Sequence, residues 1–208
     1  MHYLKDPDAI YARSFAIIGE EANLSGLPAA LHPVAVRLIH ACGMTDIVAD
    51  LRFSESVVPA VRAALTRGRP LLVDCEMVKA AVIARRLPAG TEIVCTLHHP
   101  EAAESGRRLG ITRSSAAVGL WEPHLDGAVV CIGNAPTALF TLLEMIDSGV
   151  PKPAAIIAFP VGFVGAAEAK AELAADPRGI PFATLLGRRG GSAMAAAAVN
   201  AMFAVRTT

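Results

Sequence analysis

The chain has no excess of charge of either sign. Its 208 residues include 19 basic and 19 acidic side chains, so the formal net charge is zero at pH 7. A strongly basic surface that would attract nucleic acid or anionic lipid is therefore not expected. Any site for an anion has to be formed locally, by a few basic side chains and backbone N–H groups.

Long hydrophobic runs are also absent, although 53% of the residues are hydrophobic. Gly, Pro or charged residues interrupt the apolar stretches well before the roughly 18 residues that a membrane-spanning helix requires. The first seven residues, Met1 to Pro7, contain no apolar core of a secretory signal. These features predict a cytoplasmic protein that has neither a membrane nor a nucleic acid as partner.

Cysteine is scarce and irregularly spaced. The four cysteines form no C-x-x-C pair, and three of them lie in or beside apolar runs: Cys42, Cys75, Cys95 and Cys131. Reduced thiols that fill small spaces in the core are favoured over a disulfide framework or a zinc site. The adjacent His98 and His99 could bind a metal. Two loop histidines without such a role are the preferred interpretation, so no metal site is predicted.

Short apolar segments bounded by Gly or Pro alternate with longer amphipathic segments from residue 71 onward. Continuous apolar strands are typical of parallel sheets, which are buried on both faces. We predict five strands, over 71–73, 93–97, 129–132, 155–159 and 182–186. We predict helices between them, over about 76–86, 99–109, 113–121, 136–147, 164–175 and 191–204.

Three further helices are predicted before these strands. One spans about 6–23, a second spans about 33–43, and Ser54 caps a third that ends near Gly68. Strands joined by helices in this way predict an α/β fold. We expect a three-layer α/β/α sandwich with a mostly parallel sheet of about five strands and the N-terminal helices packed on it. Length and hydrophobicity fit a single domain over residues 1–208.

Glycine is concentrated where predicted strands pass into helices. Three of the five junctions are rich in glycine, namely 133–137, 160–165 and 187–192. Glycine lets a ligand approach the backbone, and the unpaired N–H groups of a helix start bind carboxylate or phosphate. Such junctions meet at one edge of a parallel sheet, where ligands gather. The pattern favours a large anionic ligand at that edge.

Three common motifs are missing. The chain contains no P-loop, no G-x-G-x-x-G fingerprint and no G-x-S-x-G nucleophile elbow. P-loop NTPases, dinucleotide-dependent dehydrogenases and serine hydrolases are therefore disfavoured. A nucleotide- or phosphosugar-binding enzyme of the same architecture remains an alternative, because Gly190-Gly191-Ser192 and Gly162 to Gly165 are compatible with a phosphate cradle.

The segment from Arg37 to Gly43 places a guanidinium and an imidazole three residues apart. Positions i and i+3 lie on the same face of a helix, so Arg37 and His40 could contact one molecule. An imidazole exchanges a proton near neutral pH, whereas a guanidinium holds an anionic group. Spacing alone leaves open an ordinary helix histidine whose ring nitrogens are satisfied by its neighbours.

Seven segments together resemble the precorrin-8X methylmutase family and span nearly the whole chain. In chain order they are Tyr11–Ile18, Arg37–Gly43, Asp74–Val78, Thr112–Ser114, Gly133–Phe140, Pro160–Ala166 and Gly187–Ala193. The resemblance implies an isomerase of cobalamin biosynthesis that moves a methyl group from C-11 to C-12 of the precorrin-8X macrocycle and gives hydrogenobyrinate. It also implies a homodimer, and a reaction without a cofactor or an external methyl donor.

The resemblance also assigns roles to residues. It implies that His40 is catalytic and protonates, or hydrogen-bonds to, a ring nitrogen of the tetrapyrrole during the methyl shift. Ser14 and Arg37 match substrate-contacting positions, and Arg113 is the next best partner for a carboxylate. Further substrate contacts are implied in the other matching motifs, at Thr112, Ser114, Glu76, Met77, Asn134, Ala135, Pro136, Gly162, Phe163, Arg188, Gly190, Gly191 and Ser192.

Two positions shortly after the Glu76-Met77-Val78 motif depart from the family pattern. Ala81 and Ile83 stand where the family usually has glycine and threonine, so a hydroxyl that could reach the substrate is missing at Ile83. A non-catalytic corrinoid carrier is therefore a second alternative. The sequence leaves open whether the substrate is metal-free or holds cobalt, and which arginine binds which carboxylate. For Asp74 and Glu76, capping of a helix start is favoured over a general-base role.

Overall fold

The computed structural model describes residue 1 and residues 3–203, and this part of the chain forms nine α-helices and six β-strands. The helices are α1 Pro7–Glu21, α2 His32–Cys42, α3 Val57–Thr66, α4 Glu76–Ala81, α5 Pro100–Leu109, α6 Arg113–Gly119, α7 Pro136–Asp147, α8 Ala166–Ala175 and α9 Ser192–Met202. The strands are β1 Leu51–Phe53, β2 Leu71–Val73, β3 Ile93–Cys95, β4 Val129–Ile132, β5 Ala155–Ala158 and β6 Phe182–Leu185.

The strands form a single sheet in the order β1-β6-β5-β4-β2-β3. Strands β2 to β6 are parallel and β1 runs antiparallel to β6, so the predicted α/β architecture is confirmed. The five predicted strands correspond to β2 to β6. The sixth strand, β1, was not predicted, because it has only three residues with Arg52 at its centre. Its extended form comes from pairing with β6, where Leu51 lies opposite Leu185.

Alternate strand residues point to opposite faces of the sheet, and each face carries its own core. On β2, Leu71 and Val73 belong to the first core, whereas Leu72 belongs to the second. Helices α1, α2, α3, α4 and α9 cover the first core, and α6, α7 and α8 cover the second. The predicted three-layer sandwich is therefore confirmed, with the N-terminal helices packed on one face.

Ser54 does not cap α3, as the sequence suggested. Its N–H donates to the carbonyl of Phe182 at 2.9 Å, and its Oγ accepts from the N–H of Phe182 at 3.1 Å. Ser54 thus extends the pairing of β1 with β6, and α3 begins at Val57. The helix predicted over 76–86 is divided, because α4 ends at Ala81 before a short 3-10 turn, Ala84–Arg86.

The order of the strands reverses between β2 and β4. From β2 the chain passes outward to β3, and β4 then returns to the other side of β2. Parallel sheets open a crevice at such a point, at the carboxyl ends of the two strands. Among the described residues, no helix is both long enough and apolar enough to cross a bilayer.

Candidate functional site

A buried carboxylate, Asp74, fills the crevice between the ends of β2 and β4. Its side chain accepts hydrogen bonds from the backbone N–H groups of Gly133, Asn134 and Ala135, each at 2.9 Å. Asp74 is only 3% exposed. Burial raises the pKa of its carboxyl, and the three N–H donors counteract this effect. Asp74 therefore lies at the start of α7. Contrary to the prediction, it does not cap α4, the helix that follows it in sequence, because its oxygens bind the backbone that follows β4.

The loops at this edge are packed too closely to admit side chains at two glycines. A Cβ on Gly133 would lie 2.6 Å from Val78 and 2.8 Å from the Cα of Ser192. A Cβ on Gly190 would overlap the carbonyl oxygen of Phe159. Glycine at these positions lets the ends of β4 and β5 meet the starts of α4 and α9.

His40 lies on α2 and is oriented by α1. Its Nδ1 is 2.8 Å from Ser14 Oγ, and its ring stacks on Phe15 with centroids 5.0 Å apart. A serine hydroxyl can donate to a neutral Nδ1 and accept from a protonated one. Ser14 can therefore hold the imidazole in both protonation states, and the exposed ring presents Nε2 to a ligand.

Arg37 lies on α2 and is held by two aromatic rings of α1, the helix that also orients His40. Its guanidinium lies 4.8 Å from the ring centroid of Phe15 and 5.1 Å from that of Tyr11, and Nη1 donates to the Tyr11 hydroxyl. Burial, and then the nearby Arg86, lower the pKa of Arg37. No carboxylate of the described residues pairs with Arg37, so its remaining donors suit an anionic ligand.

The charges on the two sides of His40 have opposite sign. Helices α1 and α2 run in the same direction, since Tyr11 contacts Arg37 and Ser14 contacts His40. On the Arg37 side the charge is positive. On the other side, Glu21 supplies a negative charge to a depression of about 160 Å³. The other residues that line it are Ser14, Ile17, Ile18, Ile39, His40, Gly43 and Thr45. A polyanionic ligand would therefore place its carboxylates towards Arg37.

Comparisons with known proteins identify the family. The family model described as precorrin-8X methylmutase matches residues 9–205. A protein of Pseudomonas aeruginosa named precorrin-8X methylmutase is 58% identical over 96% of both chains. The chain belongs to the precorrin-8X methylmutase family. The predicted resemblance is therefore confirmed.

Two further matches are less similar in sequence. A cobalt-precorrin-8 methylmutase of Priestia megaterium is 34% identical over 94% of this chain and 87% of its own length. The solved precorrin-8X methylmutase structure of Thermus thermophilus superposes with a TM-score of 0.82 at 38% identity, and the match covers 94% of each chain. The predicted assignment to an isomerase family of cobalamin biosynthesis is confirmed by these matches together.

The structure brings the predicted site residues of this methylmutase family member together in two main groups. Ser14, Arg37 and His40 form the first group, on α1 and α2. The second group lies at the carboxyl edge of the sheet and comprises Glu76, Met77, Asn134, Ala135, Pro136, Gly162, Phe163, Arg188, Gly190, Gly191 and Ser192. The N–H groups of Asn134 and Ala135 donate to Asp74, so a substrate contact there has to use other atoms.

The remaining predicted contacts, at the start of α6, adjoin the second group. Thr112 caps α6 by accepting from the N–H of Ser115 at 3.1 Å. Its Oγ1 is also 2.7 Å from Oγ1 of Thr137 in the first turn of α7. Arg113 is exposed beside this hydroxyl pair, and Ser114 is half-buried. Their contribution to substrate binding stays a prediction.

Sequence reasoning missed the side chains that connect and support these groups. Tyr11 and Phe15 orient Arg37 and His40, and the i, i+3, i+4 spacing of Tyr11, Ser14 and Phe15 on α1 was the available signal. No spacing indicated Arg189, whose guanidinium lies 2.7 Å from Asp46 and 3.0 Å from Asp50.

The departure at Ile83 lies beside the Arg37 end of the site. Asn200 of α9 accepts from the N–H of Ile83 at 2.8 Å and donates to the carbonyl of Ala81 at 3.0 Å, so it caps the end of α4. The turn after Ile83 carries Arg86, whose charge contributes to the lowered pKa of Arg37. The segment is therefore fixed by its backbone and does not depend on a hydroxyl at residue 83.

The other predicted candidates have structural explanations. Nδ1 of His99 accepts from the N–H of Glu101 at 3.3 Å at the start of α5, and His98 is exposed. All four cysteines are unpaired, and burial raises the pKa of each thiol. Within the described part of the chain, no three His, Cys, Asp or Glu side chains are arranged to hold a metal ion.

The bonds of Asp74 predict a large effect of Asp74→Asn on stability. The amide of asparagine would turn an NH₂ group towards backbone donors, and at least one buried N–H would lose its acceptor. We expect the free energy of unfolding in urea to fall by about 3 kcal/mol. The matched variant is Asp126→Asn, since Asp126 is exposed and pairs with Arg69 at 3.2 Å. Its effect should stay within about 0.5 kcal/mol, and equal losses in the two variants would contradict the assignment.

Proposed function

We propose that this chain is an isomerase that moves a methyl group from C-11 to C-12 of precorrin-8X and gives hydrogenobyrinate. The observation that carries the proposal is the orientation of His40, with Nδ1 at Ser14 and Nε2 free for a ring nitrogen, beside the preorganised guanidinium of Arg37. The 58% identity with the Pseudomonas aeruginosa precorrin-8X methylmutase supports the same reaction.

In the proposed mechanism, the imidazolium of His40 protonates a ring nitrogen of the macrocycle. The proton draws electrons from the conjugated ring and makes the position that receives the methyl group electron-poor. After the shift, the nitrogen returns the proton to His40. The proton is exchanged at Nε2, so Nδ1 keeps its proton in both steps. Ser14 Oγ accepts from Nδ1 throughout, and the imidazole does not need to rotate. Arg37 holds a carboxylate of the substrate meanwhile.

The two alternative functions are weaker. Membership of the methylmutase family disfavours a nucleotide- or phosphosugar-binding enzyme. A non-catalytic corrinoid carrier would not need the Ser14–His40 pair, which is intact. A single domain over residues 1–208 and a cytoplasmic location stay predictions. The first is supported by the packing of α2 and α9, from opposite ends of the chain, on one face of one sheet.

His40→Ala tests the proposed proton transfer. We expect the rate of the methyl shift to fall by about 10² to 10⁴, the usual contribution of a general acid–base group, while hydrogenobyrinate still binds. Arg37→Ala should instead weaken product binding first, because Arg37 holds the substrate and does not exchange a proton. Stopped-flow absorption spectra with precorrin-8X give the rate, and a titration with hydrogenobyrinate gives the affinity. Undiminished turnover in His40→Ala would remove His40 from the mechanism.

We propose further that the substrate is metal-free. Identity is 58% with the relative named precorrin-8X methylmutase and 34% with the one named cobalt-precorrin-8 methylmutase. A ring nitrogen that takes a proton from His40 needs a free lone pair, and cobalt bound in the macrocycle would occupy it. Both observations favour precorrin-8X over its cobalt complex.

A comparison of the two substrates tests this choice. We expect kcat/KM to be at least about 100-fold higher for precorrin-8X than for cobalt-precorrin-8, in line with the loss of general acid catalysis. His40→Ala is the matched control, since it should abolish most of the preference. Equal kcat/KM values for the two substrates in the unchanged protein would refute the metal-free assignment.

We also propose that the active form is a homodimer. The cavity beside His40, about 160 Å³, is smaller than the about 300–1,000 Å³ of most ligand pockets. Large apolar side chains are exposed elsewhere on the surface, with Phe163 at 84% and Val164 at 88% in the loop before α8, and with Tyr3 and Leu4 before α1. A second copy that covers these side chains would remove them from water.

The dimer predicts a mass in solution of twice the 21.6 kDa chain. Val164→Asp should shift the protein towards monomer in sedimentation equilibrium, because it places a charge in the covered surface. The matched control is Leu109→Asp on α5, where the side chain is 57% exposed and distant from His40 in the fold. We expect this control to leave the dimer intact. A monomeric unchanged protein at micromolar concentration would overturn the proposal.

A further inference from the structure

Lys170 is a buried lysine without a carboxylate partner. It lies on α8, it is 0% exposed, and its Nζ donates to the carbonyl oxygen of Arg189 at 2.5 Å. None of the ion pairs in the described part of the chain includes it. Burial lowers the pKa of Lys170 to about 8, so the side chain is still mainly protonated at pH 7. Burying a cation without a counter-charge is costly, so a counter-charge is expected to arrive with a ligand.

The carbonyl that Lys170 binds belongs to the glycine-rich loop before α9. The backbone of Gly190 packs against Phe159, and the N–H of Gly191 donates to the carbonyl of Phe159 at 2.8 Å. α9 is eleven residues long and begins at Ser192 without a side-chain cap. Its first N–H groups therefore remain available to an anion, unlike those before α7, which Asp74 occupies.

The charged side chains on the elements packed against Lys170 do not act as its counter-charge. Strand β6 contributes no charged side chain. Burial is the single cause of the lowered pKa of Lys170, so none of the neighbouring charges shifts it appreciably. The charged side chains on the other elements around it are Glu168 and Glu172 on α8, Glu144 and Asp147 on α7, and Arg188 and Arg189 in the loop. Two of these acids, Glu172 and Asp147, pair with Arg178 at the far end of α8.

We propose that Lys170 is a positioning residue that fixes the loop Gly187–Ser192 from below, and that its counter-charge is a substrate carboxylate bound at the start of α9. The inference rests on the proposed function, because that function supplies a polycarboxylate substrate. In a weakly polar interior, the ammonium strengthens binding of the carboxylate through the loop without touching it. Lys170 thus contributes to affinity and takes no part in proton transfer.

Lys170→Met separates this role from a purely structural one. The variant keeps the volume of the side chain and removes the charge. We expect the dissociation constant of hydrogenobyrinate to rise about 10-fold, as expected for a charge that acts across the loop in a weakly polar interior, with kcat within about threefold. Thermal stability should fall only slightly, because removal of a buried charge offsets the loss of the donor to the Arg189 carbonyl. Lys152→Met is the matched control, because exposed Lys152 also donates to a carbonyl, that of Arg178, at 2.8 Å.

The pH dependence of binding gives a second test that needs no variant to fold. Between pH 7 and 9.5 Lys170 loses its proton, so the dissociation constant for hydrogenobyrinate should rise through about pH 8 in the unchanged protein and in Lys152→Met. In Lys170→Met it should stay flat. A flat profile in the unchanged protein, or unchanged affinity in Lys170→Met, overturns the inference. Failure of the unchanged protein to convert precorrin-8X would instead count against the proposed function.

Discussion

The hydrogen bonds of Asp74 determine where this fold can bind an anion. A parallel sheet usually offers its ligand the crevice at which the strand order reverses, together with the helix start beside it. Here that crevice holds a carboxylate of the protein itself, bonded to three consecutive N–H groups before α7. An external carboxylate at the same place would meet a like charge. The carboxylate contacts that we propose therefore lie elsewhere, at the start of α9, which has no side-chain cap, and at Arg37 on the α1–α2 surface.

Arg37 and His40, to which we propose different roles, lie on one face of α2 that packs against α1. Tyr11 and Phe15 surround Arg37 and His40 with aromatic surface, so both groups are partly desolvated while their polar ends stay accessible. Arg189 then connects this surface to the glycine-rich loop, because its side chain pairs with Asp46 and Asp50 shortly after α2. Arg189 thus connects the helix of His40, the proposed proton donor, to the loop that we propose binds a carboxylate.

Much of the fold could be predicted from the sequence, because buried parallel strands leave continuous apolar runs. Leu71–Val73 and Ile156 with its neighbours are recognisable without any partner. β1 could not be predicted, since its extended form depends on β6 and its central residue is Arg52. Asp74 was predicted to cap the helix that follows it, but its donors lie 59 to 61 residues away, before α7. Such a distance is set by the sheet order, which single-sequence periodicity does not contain.

The candidate site could likewise be predicted only in part from the sequence. The spacing of Arg37 and His40 predicted a shared face, and the structure places both against Phe15. The burial of Lys170 had no comparable signal. α8 is rich in alanine on all sides, so its sequence gives only a weak indication of which face is buried, and a lysine would be read as exposed. Only the packing of α8 beneath the loop before α9 shows where the charge lies.

A chain of zero net charge is suited to the proposed polycarboxylate ligand, because its acidic and basic side chains lie on opposite sides of His40. Glu21 lines the depression of about 160 Å³ on one side of His40, whereas Arg37 and Arg86 lie on the other. The acidic side repels carboxylates and the basic side attracts them, so the two together restrict the orientation of an anionic macrocycle. In the proposed mechanism, orientation matters more than total attraction, because His40 has to reach one ring nitrogen among several. A uniformly basic surface would bind the same ligand tightly in many orientations, and most of these would leave His40 without its target.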